Sequence, residues 1–189
     1  MKNQNNQRLL YAAKLLLSYA GGEMQRTNLI KSLFYLDLFW LRDTGRTFTG
    51  ALYVALPQGP VVEDYQERLI RPLLADKDVA EEAIRWAPKA VTMLMHLRAD
   101  PPVPDDEHLE LIARRVASFV SGKRAVDISE ISHQNVAWQT AIRKGSGTPI
   151  NMVLALDQVA ADDPWLDQPP TEQERAMIDV QLASEKHPL

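Results

Sequence analysis

Residues 27–62 read TNLIKSLFYLDLFWLRDTGRTFTGALYVALPQGPVV, and this stretch decides the fold. In its first half Leu29, Leu33, Leu36 and Trp40 fall on one helical stripe, and Ile30, Phe34, Leu38 and Leu41 fall on the neighbouring one. A helix that is apolar around most of its circumference must be covered on several sides. It therefore belongs at the centre of a small domain. Thr27 is placed to cap its start with a hydroxyl acceptor, and Gly45 to end it in the left-handed conformation. In the second half, Phe48, Leu52, Val54 and Leu56 alternate with Thr49, Tyr53 and Ala55, the pattern of a strand over 47–56. Pro57, Gly59 and Pro60 then read as a rigid turn.

Outward from this centre the chain is mostly helical. Upstream, residues 7–20 carry Leu9, Leu10, Ala13, Leu16 and Leu17 on one broad face, and Gly21-Gly22 ends that helix. Downstream, residues 63–74 read as a helix distorted near Pro72. Residues 79–98 read as a β-hairpin, with strands near 82–86 and 91–98 placed beside residues 51–56. A proline-rich connector at 100–105 leads to a helix over 107–121 capped by Asp105 or Asp106. Shorter helices are expected at 127–132 and 135–144, a loop at 145–149 and a last packed helix at 150–159. The fold class is mainly α (α+β): a compact helical domain around a central apolar helix with a small antiparallel β element. Residues 1–160 form that domain. Residues 161–189 form an acidic, proline-interrupted helical appendage.

Composition narrows the function. The 189 residues are 46% hydrophobic and 24% charged, ordinary for a soluble globular chain. The apolar helix is interrupted by Lys31, Asp37 and Arg42, and the polar N-terminus lacks the pattern of a signal peptide. A cytoplasmic protein without a membrane partner is expected. With no cysteine there is no thiol nucleophile or thiolate metal site. The net charge is −4; seven acids and two bases from Asp162 onward contribute −5, so the remainder stands at +1. Nucleic-acid binding requires a basic face. The nearest candidates, Arg114, Arg115, Lys123 and Arg124, read as a solvated helix face and its cationic last turn.

No catalytic device emerges. His96, His108, His133 and His187 never recur at ligand spacing on a helix, and no HExxH, GxSxG, Walker or GxGxxG pattern occurs. No catalytic, cofactor or metal residue is assigned, and the chain is not expected to be an enzyme. Asp37 stands out within the apolar helix. A buried carboxylate needs donors or a cation, so it reads as a group at the edge of the buried face, paired with an arginine or a backbone N–H. Gly59-Pro60-Val61-Val62 before Tyr65, and Ser132-His133 before Trp138, read as a pinned turn and an anchored helix.

Three segments resemble the Panacea, or SocA-like, antitoxin domain family. They are LIKSLFYLDLFWLRDTGR, TGALYVALPQGPVVEDY and ISHQNVAWQTA, in family order. The positions carrying the resemblance are Leu33, Tyr35, Asp37, Gly45, Arg46, Thr49, Gly50, Tyr53, Gly59, Pro60, Val61, Tyr65, Ser132, His133 and Trp138. Ser32 departs from the larger residue usual in the family, and the acidic tail lies beyond what the family core requires. The resemblance implies a mostly helical fold and an antitoxin of bacterial or phage origin that neutralises a co-encoded protein toxin by direct contact. Its alternatives are an adaptor delivering the toxin to a protease and, less favoured, a transcriptional regulator of its own operon. Surface anchors for such a partner are sought in Tyr53, Gln58, Tyr65 and Trp86, and in Trp165, Leu166, Ile178 and Leu182 of the tail.

Overall fold

A computed structural model of the chain describes residues 2–87 and 90–156. Expectations for residues 157–189, including Trp165, Leu166, Ile178 and Leu182, lie outside the described residues. Helix α1, Lys2–Tyr19, buries Leu9, Leu16 and Leu17. It ends at Gly21 and Gly22, both at positive φ, with the Gly22 N–H returning to the Leu17 carbonyl at 2.9 Å. Strand β1, Glu23–Gln25, runs directly into α2, Arg26–Thr44. Residues 28–40 of α2 are all buried, as the two apolar stripes require. The helix ends as expected at Gly45, at φ 76° with its N–H on the Leu41 carbonyl at 2.9 Å.

The expected cap at Thr27 is corrected. β1 carries extended backbone as far as Gln25, so Gln25 occupies the cap position, offers no side-chain hydrogen bond, and leaves Thr27 inside the first turn.

The expected long strand over 47–56 shrinks to β2, Tyr53–Leu56, because the backbone before it is held by Asp37. The turn also moves. Gly59-Pro60 is not a turn but the start of strand β3, Gly59–Val62, and Pro57-Gln58 form the two-residue connection. Pro60 is tolerated because β3 is an edge strand. The single helix expected over 63–74 is replaced by a turn, a π-helical segment at Gln66–Ile70, and α3, Arg71–Ala75. Pro72 has no N–H to continue a regular ladder.

The hairpin exists, as β4, Val79–Ala87, and β5, Ala90–Leu97. Its placement beside residues 51–56 is corrected. β5 pairs with β1 in the order β1-β5-β4, and β2 pairs instead with β3 and, on its other side, with a later two-residue strand.

Helix α4, Glu107–Ser121, is capped by Asp106, whose carboxylate accepts from the His108 and Leu109 N–H groups. Helices α5, Ala125–His133, and α6, Val136–Ile142, follow, with Asn135 capping α6. Residues 145–149, expected as a loop, end in strand β6, Thr148–Pro149. The Ile150 N–H donates to the Tyr53 carbonyl at 2.8 Å. A last helical turn occupies 153–156, and the rest of the helix expected there lies outside the described residues. The fold is thus mainly α with small antiparallel sheets. α2 packs against α1, α4, α5, β3 and β5. No helix among the described residues is long and apolar enough to cross a membrane.

Candidate functional site

Asp37 is fully buried rather than at the edge of the apolar face. It projects from α2 onto the segment before β2 and meets no arginine among the described residues. The Thr49 N–H donates to Oδ1 at 2.8 Å, while the Thr49 hydroxyl and the Tyr53 hydroxyl, the latter at 2.8 Å, address Oδ2. The Tyr53 hydroxyl also lies 2.9 Å from the Leu33 carbonyl. Burial raises the Asp37 carboxyl above its ordinary range, against hydrogen bonds from Thr49, Tyr53 and the Phe48 backbone that favour the anion. Burial likewise pushes the Tyr53 phenol up. This carboxylate clamps α2 to β2.

A second buried cluster lies one and a half turns earlier on α2. Lys31 is 1% exposed, and its Nζ donates to the Pro60 carbonyl at 2.8 Å. Desolvation lowers its pKa to about 7. Gly59 sits against the same ammonium. A Cβ there would lie 2.6 Å from Lys31 Nζ and closer still to Ser132 Oγ, and Gly59 is at φ 102°. Glycine is required here both by close approach and by conformation. Ser132 is fully buried and donates to the Ser129 carbonyl at 2.7 Å. Lys31, Gly59 and Ser132 therefore join α2, β3 and α5 at one point.

The hairpin's other end is held by Trp138, whose indole N–H donates to the Leu56 carbonyl at 3.0 Å. His133 stacks on that indole with ring centroids 4.3 Å apart and an interplanar angle of 13°. Pro57 and Gln58 project between two grooves. One, of about 260 Å³, is lined by Lys31, Ile30, Leu56, Val61 and Tyr65. The other, of about 590 Å³, lies between β5 and α5 and reaches His133.

The structure thus brings together Leu33, Asp37, Thr49 and Tyr53 in one cluster, and Gly59, Pro60, Ser132, His133 and Trp138 in another. Tyr65 lines the smaller groove. Tyr35 is buried and its ring packs edge-on against Phe34. Gly45 and the exposed Arg46 end α2 away from both clusters, and Gly50 supplies a positive φ of 66° beside Thr49. Tyr53, expected at the surface, is 1% exposed because its hydroxyl is engaged by Asp37. Gln58 and Trp86 are exposed as expected, and Tyr65 is half-buried.

Sequence reasoning missed Lys31, reading it as a break in an apolar run. A lysine centred in a helix buried on all sides was the available signal. Asn28 was missed for the same reason; its side-chain amide donates to the Val120 and Lys123 carbonyls at 3.2 and 2.8 Å, closing the end of α4.

The family model described as antitoxin SocA-like, Panacea domain, matches residues 29–139, more than half of the chain. The chain belongs to this family. The match begins within α2 and ends within α6, so both clusters of the Panacea domain lie inside it. Helix α1 and strand β6 lie outside the matched span yet pack on the same core. A search of curated proteins and a search of solved structures each returned no match. Among the described residues of this Panacea domain, no group of three or more histidine, aspartate or glutamate side chains is arranged to hold a metal ion.

Proposed function

We propose that this Panacea domain is the antitoxin of a toxin–antitoxin pair, acting in the cytoplasm by direct contact with a co-encoded protein toxin and without catalysis of its own. The family match over residues 29–139 carries the reading. The geometry supports it in one respect. Two buried polar groups inside the matched span face inward: Asp37 is consumed by Thr49 and Tyr53, and Lys31 by Pro60. They build a rigid frame that presents a hairpin tip and two grooves. The anchors available to a partner are Gln58 and Tyr65 on the grooves and Trp86, which is 70% exposed on β4. Aromatic anchors beside a pocket are what a stable interface uses.

The test is growth rescue. The reading frame adjacent to this gene is induced alone and then together with this chain, with a tag on one product. Rescue accompanied by a co-purifying complex is expected. Toxicity without rescue or complex overturns the reading. The toxin's half-life in the rescued cells sorts direct neutralisation, which preserves the toxin, from delivery to a protease, which shortens it.

A further inference from the structure

Strand β4 is the outer strand of its sheet. One edge pairs with β5, and in the order β1-β5-β4 no described strand lies on the other. Residues 82, 83 and 85–87 of β4 are exposed. The phase of the ladder is set at its start. The Arg98 N–H donates to the Asp78 carbonyl at 2.7 Å, and the pairs then run in register from Val79 with Leu97 to Arg85 with Val91. In an antiparallel pair successive residues turn their backbone groups to opposite sides. Ala80, Glu82 and Ile84 therefore bond β5. The odd-numbered residues from Val79 to Arg85 direct their N–H and C=O groups to the outer edge.

An outer edge is a template for another strand, and the charges along this one decide which strand it fits. Pairing β4 with a second copy of itself requires a two-fold axis through the sheet. An axis between two residues would set outward groups against residues already bonded to β5, so the axis falls on a residue. Centred on Glu81, Glu82 or Arg85, it places like charges directly opposite each other, which is destabilising. Centred on Ile84, it leaves Arg85 opposite Ala83 and Glu82 opposite Trp86. Centred on Ala83, it brings Glu81 opposite Arg85 on both sides of the axis. Glu81 has room for that cation. Arg26 holds its Oε1 at 3.0 Å, and no described residue bonds its Oε2. The Glu81 side chain is 15% exposed, so a guanidinium brought to it is less screened than on an open surface. A second copy answers both charges of this edge at once.

We propose that the protein forms a two-fold dimer through β4, the strand pairing antiparallel with itself about Ala83, so that Glu81 of each copy meets Arg85 of the other. The interface is isologous, and it joins two three-stranded sheets into one of six strands. It stands apart from the antitoxin reading, and no toxin is needed to test it.

Sedimentation of the full chain over a concentration series is the first measurement, and a dimer is expected. A monomer at every concentration overturns the proposal. Backbone amide exchange on the same samples locates the interface without any substitution. The Ala83 amide exchanges fast in the dilute chain and becomes protected in the concentrated one, whereas Glu82 and Ile84 are protected in both. Concentration-independent exchange at Ala83 in a dimer moves the interface elsewhere and overturns the proposal. Charge reversal then tests the register. Glu81→Arg sets arginines opposite each other, and Arg85→Glu sets carboxylates opposite each other. Each is expected to weaken self-association roughly tenfold. Mixed one to one, the two variants carry complementary strands, and a mixed dimer of wild-type affinity should form. A merely structural role of either residue would not be repaired by mixing. Failure of the mixture to recover overturns the Ala83-centred register.

Discussion

Lys31 shows how a charged residue can be fixed in a core at a cost that pH controls. Its ammonium is buried against the Pro60 carbonyl, and desolvation lowers its pKa to about 7 from the 10.5 of an exposed lysine. Below about pH 7 the group is protonated in folded and unfolded chains alike, and the full cost of burying charge is felt. As pH rises from about 7 to about 10.5 the folded chain sheds the proton first, so stability increases through that window. Comparison with Lys31→Met, which keeps the volume and removes the titration, isolates the effect. Denaturant melts should show the wild type gaining on the variant by up to roughly 1.4 kcal/mol per pH unit across the window. A gap that does not move with pH would mean that the amine stays hydrated. Asp37 obeys the complementary rule. Asp37→Ala strands the Thr49 N–H and removes the acceptor of the Thr49 and Tyr53 hydroxyls, leaving Tyr53 only the Leu33 carbonyl, and a loss of about 2–4 kcal/mol is expected. Tyr53→Phe removes one donor only and should cost about 1 kcal/mol. Equal losses for the two variants would contradict the carboxylate's place at the hub.

Among the elements, the β2–β3 hairpin is the one whose shape other elements dictate. Gly59 is at φ 102° and lies against Lys31 and Ser132. Gly59→Ala should therefore destabilise by more than about 3 kcal/mol, through both a strained backbone and an overpacked contact. Adding Ser132→Ala removes one clash and leaves the φ and the Lys31 contact. Calorimetry of the double variant should recover only part of the loss, and full recovery would leave the backbone strain without weight. The same hairpin marks where the sequence stopped being legible. The centre of α2 was readable because its apolar period is written in consecutive residues, and the Asp106 and Gly45 caps were readable because capping is local. The β4–β5 hairpin was readable from its own alternation. Its neighbour was not, since β1 is only Glu-Met-Gln, too short to show a period, and its pairing is set by the turn at Gly21-Gly22. The Lys31–Gly59–Ser132 junction was hidden for another reason: each residue has an ordinary local explanation, and only the fold brings the three together.

At the scale of the molecule, α2 touches three helices and strands of both sheets, so neither sheet can loosen without exposing it. The chain closes this arrangement late. The Ile150 N–H donates to the Tyr53 carbonyl, β6 pairs with β2, and Ala155 is fully buried. A chain ended after residue 147 loses all three and should melt lower by roughly 5–10 °C, as a loss of a few kcal/mol implies for a domain of this size. A chain ended after residue 161 keeps them and should melt with the full-length protein. The pair of truncations then separates folding from function. Residues beyond 161 carry the chain's net negative charge, seven acids against two bases, and the apolar side chains Trp165, Leu166, Ile178 and Leu182. Charge and apolar anchors together suit contact with a partner. The 1–161 chain is therefore expected to rescue growth less well at unchanged stability, with a faster-dissociating toxin complex. On the antitoxin reading proposed above, rescue equal to that of the full chain would take the tail out of the mechanism and leave partner contact to the rest of the chain.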